Sequence, residues 1–356
     1  MLERRKSRGV VVGGIRIGAG APVTVQSMTK TDTRDVEATV RQLHSLAEAG
    51  CEIARCAIPD AAAAEAFAEI KRRSPLPLVA DIHFDYRLAL AALAAGADKL
   101  RINPGNIGGR ERVREVARAA KERGVPIRVG VNAGSLERDL LARYGAPCAE
   151  ALVESAKRNA ALLEDEGFGD IVVSIKASDV ATTVQAYEAI SRETDYPLHV
   201  GLTEAGSPRS GTIKSAVAIG ALLLEGIGDT IRVSLTAEPE EEVRVARDIL
   251  SSVGVRRFGV EVVSCPTCGR CHGDLLRMVR EVEARVAAID APLRVAVMGC
   301  EVNGPGEARE ADVGVALGEG AGLLFSHGKP VARVPHDEIV SRLVEEIFKL
   351  TQRERD

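Results

Sequence analysis

The sequence predicts an α/β protein: a (β/α)8 TIM-like barrel in residues 1–240, followed by a smaller α+β domain in residues 241–356. Three observations predict this arrangement. The chain has 356 residues, more than one domain usually holds. From about residue 22, short apolar runs alternate with longer segments of helical period, as in repeated strand–helix units. Four of the seven cysteines lie beyond the last repeat, between residues 265 and 300.

Eight apolar, β-branched runs are spaced as the strands of a parallel barrel would be. A doubly wound open sheet is the alternative for any single run. The runs are PVTVQSM (22–28), EIARCAI (52–58), LVADIHF (78–84), KLRINPG (99–105), PIRVGVN (126–132), DIVVSIKAS (170–178), PLHVGLTEAG (197–206) and TIRVSLTA (230–237).

The segments between these runs have the period of amphipathic helices. In the segment VEATVRQLHSLAEAG, residues Val36, Val40, Leu43, Leu46 and Ala47 fall on one face. The sequence therefore predicts a helix that packs against the sheet after the first strand, and the other connections follow the same pattern.

Polar residues stand near the carboxyl ends of most of the predicted strands, where a barrel core would otherwise be apolar. Because charged groups are almost never buried unpaired, cations from several strands at one rim predict an anionic ligand. The planar donor fork of Arg suits phosphate oxygens, so we expect a diphosphate. A rim network of salt bridges is the alternative for any single cation. The residues are Arg55, Asp81, His83, Arg101, Asn103, Arg128, Asn132, Lys176, Glu204, Arg232 and Ser234.

The composition and the missing motifs narrow the ligand classes. The segment NPGNIGG (103–109) is expected to offer free backbone amides at the rim. Neither a dinucleotide fingerprint nor a triphosphate-binding loop is present in the sequence. A net charge of −4, 3% aromatic residues and no Trp do not favour nucleic acid or a membrane surface as a partner.

The opening MLERRKSRG lacks an apolar signal, so a cytoplasmic location is expected.

The region after the eighth run predicts a compact α+β domain. Its predicted strands are RFGVEVVS (257–264), LRVAVMG (293–299), DVGVAL (312–317), GLLFSHG (322–328) and PVARVP (330–335). The segment CEVNGPGEAREA (300–311) is predicted as a loop, and a final helix is predicted from about His336.

Four cysteines in this region have the spacing of an iron–sulfur site. Cys265, Cys268 and Cys271 form C-x-x-C-x-x-C, and Cys300 closes the next predicted strand. A zinc ribbon would need a second C-x-x-C, whereas Glu301 and Val302 follow Cys300. Spacing alone therefore favours a [4Fe-4S] cluster held by all four cysteines. The isolated Cys51, Cys56 and Cys148 are interpreted as small buried hydrophobes.

Several motifs together resemble those of one enzyme family. They are QSMTKTDTRD, RINPGNIG, GVNAGSLE, LHVGLTEAG, SCPTCGR and MGCEVNGPGEA, in this order from about residue 8 to beyond 340. The chain resembles the short bacterial form of the GcpE family of (E)-4-hydroxy-3-methylbut-2-enyl diphosphate synthases. This resemblance implies a barrel followed by a [4Fe-4S] domain, which agrees with the pattern of strands and cysteines.

The resemblance implies a different fourth cluster ligand from the one that spacing favours. It assigns the cluster to Cys265, Cys268, Cys300 and Glu307, and it makes Cys271 a bystander. A carboxylate exchanges on iron more readily than a thiolate does, so Glu307 could give way to a substrate oxygen. Whether Cys271 has a role is left open by the sequence.

The resemblance also implies the reaction and its partners. The family opens the ring of 2-C-methyl-D-erythritol 2,4-cyclodiphosphate by two-electron reduction with loss of water, in non-mevalonate isoprenoid biosynthesis. Flavodoxin or ferredoxin delivers the electrons, and the enzyme is a homodimer. Glu204 and Asn303 are implied to approach the reacting atoms, with Glu204 as the candidate proton donor. The implied diphosphate ligands are Arg55, Arg101, Arg128, Asn132, Lys176, Arg232 and Ser234.

Two other functions are compatible with parts of the sequence. A barrel aldolase or lyase could use Lys176 as a Schiff-base amine, with a structural metal domain. An iron–sulfur module that senses iron or oxygen would instead need a partner surface that the composition does not reveal.

Overall fold

The computed structural model describes residues 3–302 and 304–353, with side chains as far as Thr351. The chain divides into two compact units, Met1–Arg256 and Arg257–Asp356. The first unit begins with an antiparallel hairpin of β1 (Gly9–Val12) and β2 (Ile15–Gly18), which the sequence did not predict. Val10, Val12 and Ile17 of the hairpin pack with Ile53, Val79 and Val172. The hairpin therefore covers the end of the barrel interior to which those strand residues belong.

Eight parallel strands form the first unit's sheet, in the order β8-β7-β6-β5-β4-β3-β10-β9. An isolated parallel bridge between Val173 and Leu198 joins the two ends of this sheet. The predicted barrel is confirmed. The strands are β3 (Thr24–Met28), β4 (Ile53–Ala57), β5 (Leu78–Asp81), β6 (Lys99–Ile102), β7 (Ile127–Asn132), β8 (Ile171–Lys176), β9 (His199–Val200) and β10 (Thr230–Ile231).

Helices follow the strands and cover the sheet with apolar faces. In the first of them Val40, Leu43 and Leu46 are buried, as predicted, and the Asp35 carboxylate caps the helix by accepting from the Ala38 N–H. A short 3-10 turn covers Ala133–Ser135. The helices of this unit are α1 (Val36–Glu48), α2 (Ala61–Arg73), α3 (Tyr86–Ala94), α4 (Arg110–Arg123), α5 (Arg138–Tyr144), α6 (Ala149–Glu164), α7 (Val180–Glu193), α8 (Pro208–Leu224) and α9 (Pro239–Ser252).

Helix α9 belongs to the first unit because it packs against β3, α1 and α8. Its residues Val243, Ala246 and Leu250 are buried. The division between the units therefore lies between Arg256 and Arg257, whereas the sequence predicted a boundary between residues 240 and 241, inside this helix.

The second unit has a five-stranded sheet with its strands in sequence order. The first three strands are parallel and the last two pairs are antiparallel. Two helices share a core with one face of the sheet, and the third packs its Ala308 among Ala296, Met298 and Ala316. The elements are β11 (Glu261–Ser264), α10 (Leu275–Val286), β12 (Arg294–Met298), α11 (Gly304–Glu310), β13 (Val313–Leu317), β14 (Ala321–Ser326), β15 (Lys329–Pro335) and α12 (Ile339–Arg353).

The helix α11 lies where the sequence predicted only a loop, so that part of the prediction is wrong. Gly304 lies so close to the sheet that a Cβ there would be 2.9 Å from the Ala316 Cβ and 3.1 Å from the Met298 Cβ. The glycine that suggested a loop instead permits close packing of a helix on a sheet. In the part of the chain that the structure describes, no helix combines the length and apolarity that a membrane span requires.

Candidate active site

The predicted cations meet inside the barrel. Arg55, Arg101, Arg128 and Lys176 are buried on β4, β6, β7 and β8, and Arg232 follows β10. We call these five residues the cation site. Pairing in the sheet places Arg101 beside Asp81 on one side and beside Arg128 on the other, so all three stand at one level of the barrel. The cation site lines a cavity of about 120 Å³ together with Asn132, Asp81, His83, Ser174, Leu202 and Thr203.

Asp81 is the carboxylate that orders the cation site. Its Oδ1 accepts from Arg101 Nη1 at 3.0 Å, and its Oδ2 lies 3.5 Å from Arg55 Nε. Burial alone would raise the pKa of Asp81, but the charges of Arg55 and Arg101 outweigh it and hold the pKa at about 2. Asp81 thus forms the predicted salt bridges with two of the five cations, and its single charge does not neutralise the whole site.

Several donors of the cation site lack a hydrogen-bond partner in the part of the chain that the structure describes. Arg128 Nε and Nη1, Lys176 Nζ and Arg101 Nε are buried and have no hydrogen-bond partner among the described residues. Burial lowers the pKa of Arg128 and of Lys176 well below their ordinary values, and neighbouring Arg charges lower both further. Buried donors without acceptors are costly, and several that meet at one cavity fit an anion with many oxygens.

Two neighbours on β7 fix the side chain of Arg101. A Cβ on Gly130 would lie 2.5 Å from Arg101 Nε, so only a glycine leaves space for this guanidinium. In the orientation of its side-chain amide that gives both polar atoms a partner, Asn132 accepts from Arg101 Nη2 at 3.0 Å and donates to Val131 O at 3.2 Å. Asn132 is therefore in the site, as predicted. The role of Gly130 was not predicted from the sequence.

Glu242 on α9 supports the cation site from outside the strand ends. It is buried, its Oε1 accepts from the Leu235 N–H at 3.0 Å, and its Oε2 lies 3.7 Å from Arg232 Nη2. Lys30 Nζ lies 3.2 Å from Glu242 Oε1. Sequence reasoning missed this residue, because an acidic residue in a run of Glu at a helix start looks like a solvent-exposed one.

A second polar group lies deeper in the barrel and was also missed. Lys99 is fully buried and donates to Gln26 Oε1 at 3.2 Å. Both ring nitrogens of the buried His199 lack a hydrogen-bond partner within the described residues. Burial and the charges of Arg128 and Lys176 lower the pKa of His199 well below its ordinary value, so the ring is neutral. The alternation of strand side chains could have placed Lys99 inward, two residues before Arg101.

Three predicted features are not brought to the cavity. Glu204 is exposed in the segment after β9, with a left-handed φ of +53°, and is not among the described residues that line the cavity. Ser234 has a buried hydroxyl for which the described residues provide no partner. The Gly105 N–H donates to Asn159 Oδ1 at 2.7 Å, so this amide is engaged, whereas the sequence predicted a free one. Asn303 lies outside the described residues.

The cysteines of the second unit meet at the ends of adjacent parallel strands. Ser264 and Val297 are paired at the ends of β11 and β12, so Cys265 and Cys300 leave the sheet at the same edge. The Gly299 N–H donates to Cys265 Sγ at 3.2 Å. Two backbone hydrogen bonds hold the segment after Cys268 in place. The Cys271 N–H donates to Cys268 O at 2.9 Å, and the His272 N–H donates to Gly299 O at 2.8 Å.

Cys271 lies with the other three cysteines, and we call Cys265, Cys268, Cys271 and Cys300 the thiol cluster. A Cβ on Gly299 would lie 2.7 Å from Cys271 Sγ and 3.4 Å from Cys265 Sγ. Burial raises the pKa of the Cys271 thiol, and the sulfurs of Cys265, Cys268 and Cys300 raise it further. Soft sulfur donors at the edge of one sheet suit an iron–sulfur cluster.

Glu307, the predicted carboxylate ligand, is exposed on α11. The next residue, Ala308, packs in the small core against which Cys265 also lies. Within residues 3–302 and 304–353, no group of three or more His, Cys, Asp or Glu side chains is arranged to hold one metal ion. A polynuclear cluster places its own iron and sulfide between the protein ligands, so such ligands need not converge on one point.

Two family models match nearly the whole chain. The GcpE TIM-barrel domain matches residues 7–247, and the GcpE protein C-terminal domain matches residues 261–349. The first range contains the cation site, and the second contains the thiol cluster.

Curated relatives match the chain over almost its whole length. One is the 4-hydroxy-3-methylbut-2-en-1-yl diphosphate synthase (flavodoxin) of Geobacillus kaustophilus, 58% identical over 352 residues that cover 99% of this chain and 94% of the relative. A protein of the same name from Geobacter sulfurreducens is 58% identical over 347 residues, covering 98% of each chain.

The similarity to solved structures is evidence for the fold and not for the function. N-acetylneuraminic acid synthetase from Leptospira borgpetersenii superposes with a TM-score of 0.51 at 12% identity, covering 80% of this chain and 99% of that chain. A truncated 3-deoxy-D-arabino-heptulosonate 7-phosphate synthase from Thermotoga maritima gives 0.51 at 14% identity, covering 70% and 95%.

Proposed function

The chain belongs to the GcpE family, and on that premise we propose that it converts 2-C-methyl-D-erythritol 2,4-cyclodiphosphate to (E)-4-hydroxy-3-methylbut-2-enyl diphosphate. The protein is an iron–sulfur oxidoreductase that opens the ring reductively and releases water. Two electrons are consumed in each turnover. Because the relatives' name includes flavodoxin, reduced flavodoxin is our proposed donor in preference to ferredoxin.

The observation that carries this proposal is the set of buried donors without acceptors in the cation site. Arg128 and Lys176 present such donors to a cavity that Arg55, Arg101 and Arg232 also line. A cyclic diphosphate offers several phosphate oxygens on a small body. Its binding would satisfy these donors and return the pKa of the buried cations towards their ordinary values.

The residues of the cation site would bind the diphosphate in two ways, and Arg232 is a further proposed ligand. Arg128 and Lys176 bind the diphosphate directly, because their donors are not engaged elsewhere in the described residues. Arg55 and Arg101 bind it while Asp81 keeps their side chains oriented. With a pKa of about 2, Asp81 stays ionised and is not a proton donor. Asn132 and Ser234 complete the proposed substrate ligands.

We propose that Cys265, Cys268, Cys300 and Glu307 hold a [4Fe-4S] cluster. Such a cluster supplies electrons one at a time and, with one exchangeable ligand, Lewis acidity. The thiol donors at the ends of β11 and β12 support this assignment, as does the hydrogen bond from Gly299 N–H to Cys265 Sγ. Glu307 supplies the oxygen ligand that exchanges most readily.

Glu204 is the proposed proton donor to the departing hydroxyl, and Asn303 the proposed group that orients it. Glu204 has a left-handed backbone, a conformation that costs free energy for a residue other than glycine and is found more often at functional sites. The homodimer and the cytoplasmic location stay predictions, and light scattering of the purified protein would test the first.

A second candidate, a lyase that uses Lys176, is favoured by one observation. The lowered pKa of the buried Lys176 makes its amine a better nucleophile near neutral pH. Borohydride would then trap a carbonyl substrate on this residue. In the synthase we propose, Lys176 binds phosphate oxygens and no such adduct forms.

The proposed function is tested by anaerobic purification. We expect brown protein with iron and sulfide, and conversion of the cyclic diphosphate to the linear diphosphate with reduced flavodoxin. The Cys300→Ser variant should lack both properties. Iron-loaded, reduced protein that leaves the cyclic diphosphate unchanged would contradict the proposal.

A further inference from the structure

The proposed function leaves Cys271 without a task, although its sulfur lies in the thiol cluster. We propose that Cys271 is a reserve ligand, which can replace Glu307 on the cluster and close it to substrate. The inference rests on the proposed function, since it takes Cys265, Cys268, Cys300 and Glu307 as the ligands of the active form.

The first support is the position of the Cys271 sulfur. Cys271 Sγ and Cys265 Sγ lie 2.7 and 3.4 Å from the same point, where a Gly299 Cβ would stand. The two sulfurs can therefore be no farther apart than the sum of these distances. A Cβ at position 299 would also lie 3.1 Å from Leu275 Cδ2, so the glycine keeps open the space that both sulfurs border.

The second support is that Cys271 is held in place by its surroundings. Its N–H donates to Cys268 O at 2.9 Å, and the next residue, His272, donates to Gly299 O at 2.8 Å. Cys271 and Cys265 both pack against the same buried core, which includes Leu275 and Val297. The loop thus presents the sulfurs of residues 265 and 271 from one side.

Cys271 and Glu307 differ in burial and in ligand chemistry, and this difference suits them to be alternative ligands of the cluster. Glu307 is exposed on the short helix α11, whereas Cys271 is partly buried and tied to the neighbouring strand end. The proposed exchange involves these two residues and leaves Cys265, Cys268 and Cys300 as ligands. A thiolate is the softer donor, so it is the tighter ligand for iron when no substrate is present.

The exchange is a ligand substitution without electron transfer. The Cys271 S–H bond breaks, a bond from its sulfur to iron forms, and the bond from iron to the Glu307 carboxylate breaks. The released carboxylate takes the proton. The product is an all-cysteine form, in which no exchangeable oxygen ligand remains. Return to the active form reverses these steps.

The test compares cluster retention in anaerobically loaded full-length proteins. The variants are Cys271→Ser, Glu307→Ala, Glu307→Ala with Cys271→Ser, and Glu307→Ala with Cys148→Ser as the matched control. Cys148 is a free, half-buried cysteine of the other unit. Iron and sulfide content, the rate of iron loss to a chelator, and the electron paramagnetic resonance signal after reduction are measured.

We expect Glu307→Ala to keep a full complement of iron and a resonance signal that the cyclic diphosphate does not change. The Cys148 control should behave in the same way. Adding Cys271→Ser should speed iron loss by about tenfold or more, since even an outer partner of a metal ligand is worth about tenfold in affinity. Cys271→Ala in place of Cys271→Ser guards against a folding effect of the new hydroxyl.

Two outcomes would overturn the inference. If Glu307→Ala loses iron equally fast with and without Cys271, no reserve ligand exists, while the parent's activity leaves the proposed function standing. If Cys271→Ser alone removes the cluster from the parent, Cys271 is a permanent ligand. A parent that never loads iron or never turns over contradicts the proposed function itself.

Discussion

Four of the five residues of the cation site lie on strands of the barrel, whereas the cysteines of the thiol cluster lie in segments that follow strands. Arg55, Arg101 and Arg128 are at least nine-tenths buried, and Asp81 fixes the first two of them. Of the cysteines, Cys268 is exposed and Cys265 is half-buried. We therefore expect the barrel to form the proposed diphosphate site by itself, and the proposed cluster ligands to acquire their final geometry with the cofactor.

The largest effect that this comparison predicts is loss of function from the thiol cluster without damage to the barrel. Cys265→Ser, Cys268→Ser and Cys300→Ser should each abolish the cluster absorption and turnover, because a hydroxyl is a poor iron ligand. Titration calorimetry should still find the cyclic diphosphate bound. Loss of substrate binding in all three variants would show that the two regions are not independent.

Removing the central carboxylate of the cation site should cost the most stability. Asp81→Asn leaves Arg55 and Arg101 buried without a counter-charge and should lower the free energy of unfolding by about 3 to 5 kcal/mol. Denaturant unfolding measures it, and saturating inorganic pyrophosphate should restore part of the loss. An unchanged midpoint would mean that the ion pairs contribute nothing.

The pH dependence of this effect follows from the pKa of Asp81. The folded pKa is about 2 and the unfolded pKa about 3.9, so the ionised form stabilises the folded state. This stabilisation is fully present above about pH 4 and disappears as the pH falls towards 2. The difference between the parent and Asp81→Asn should therefore be large at pH 7 and shrink below pH 4.

Replacing Arg128 should weaken substrate binding without lowering the stability of the fold. Arg128→Met should weaken binding of the cyclic diphosphate by about 1.5 to 3 kcal/mol, the value of a charge-assisted hydrogen bond. The free energy of unfolding should stay the same or rise, because a buried cation without a partner is replaced by an apolar side chain. Arg101→Met is the matched control, since it should lose both affinity and stability. Equal destabilisation by both variants would argue that Arg128 has a structural partner.

The smallest predicted effect concerns the space beside Arg101. Gly130→Ala should shift this guanidinium and weaken substrate binding by about 1 kcal/mol, near the low end of overpacking effects. Gly134→Ala is the control, because a Cβ there meets nothing within 4 Å. Iron content should be unchanged in both. Identical affinities for the two variants would show that Arg101 can move freely.

The sequence predicted the strands and the cations for one physical reason. The apolar runs that contain Arg55, Arg101 and Arg128 indicate buried strands, and a cation within such a run needs a partner there. The helix α11 was missed because Gly304 and Pro305 are typical of turns, and only the close approach to Ala316 explains the glycine. Packing of that kind depends on residues from distant strands.

Within the candidate sites, the supporting residues were harder to predict than the ligands. Glu242 and Lys99 act through partners on other elements of the fold, Arg232 after β10 and Gln26 on β3 respectively. No local pattern distinguishes them from ordinary helix and strand residues. The position of Cys271 beside Cys265 likewise depends on the glycine at 299, which belongs to another strand end.

The most direct measurement is titration of the cyclic diphosphate into cluster-free protein, followed by anaerobic loading of the same sample with iron and sulfide. We predict that the cluster-free protein binds the cyclic diphosphate with an affinity within about tenfold of the loaded enzyme, because the cation site is formed by the barrel alone. Turnover with reduced flavodoxin should appear only after loading. Cluster-free protein that binds no cyclic diphosphate, or that turns it over, would contradict the account.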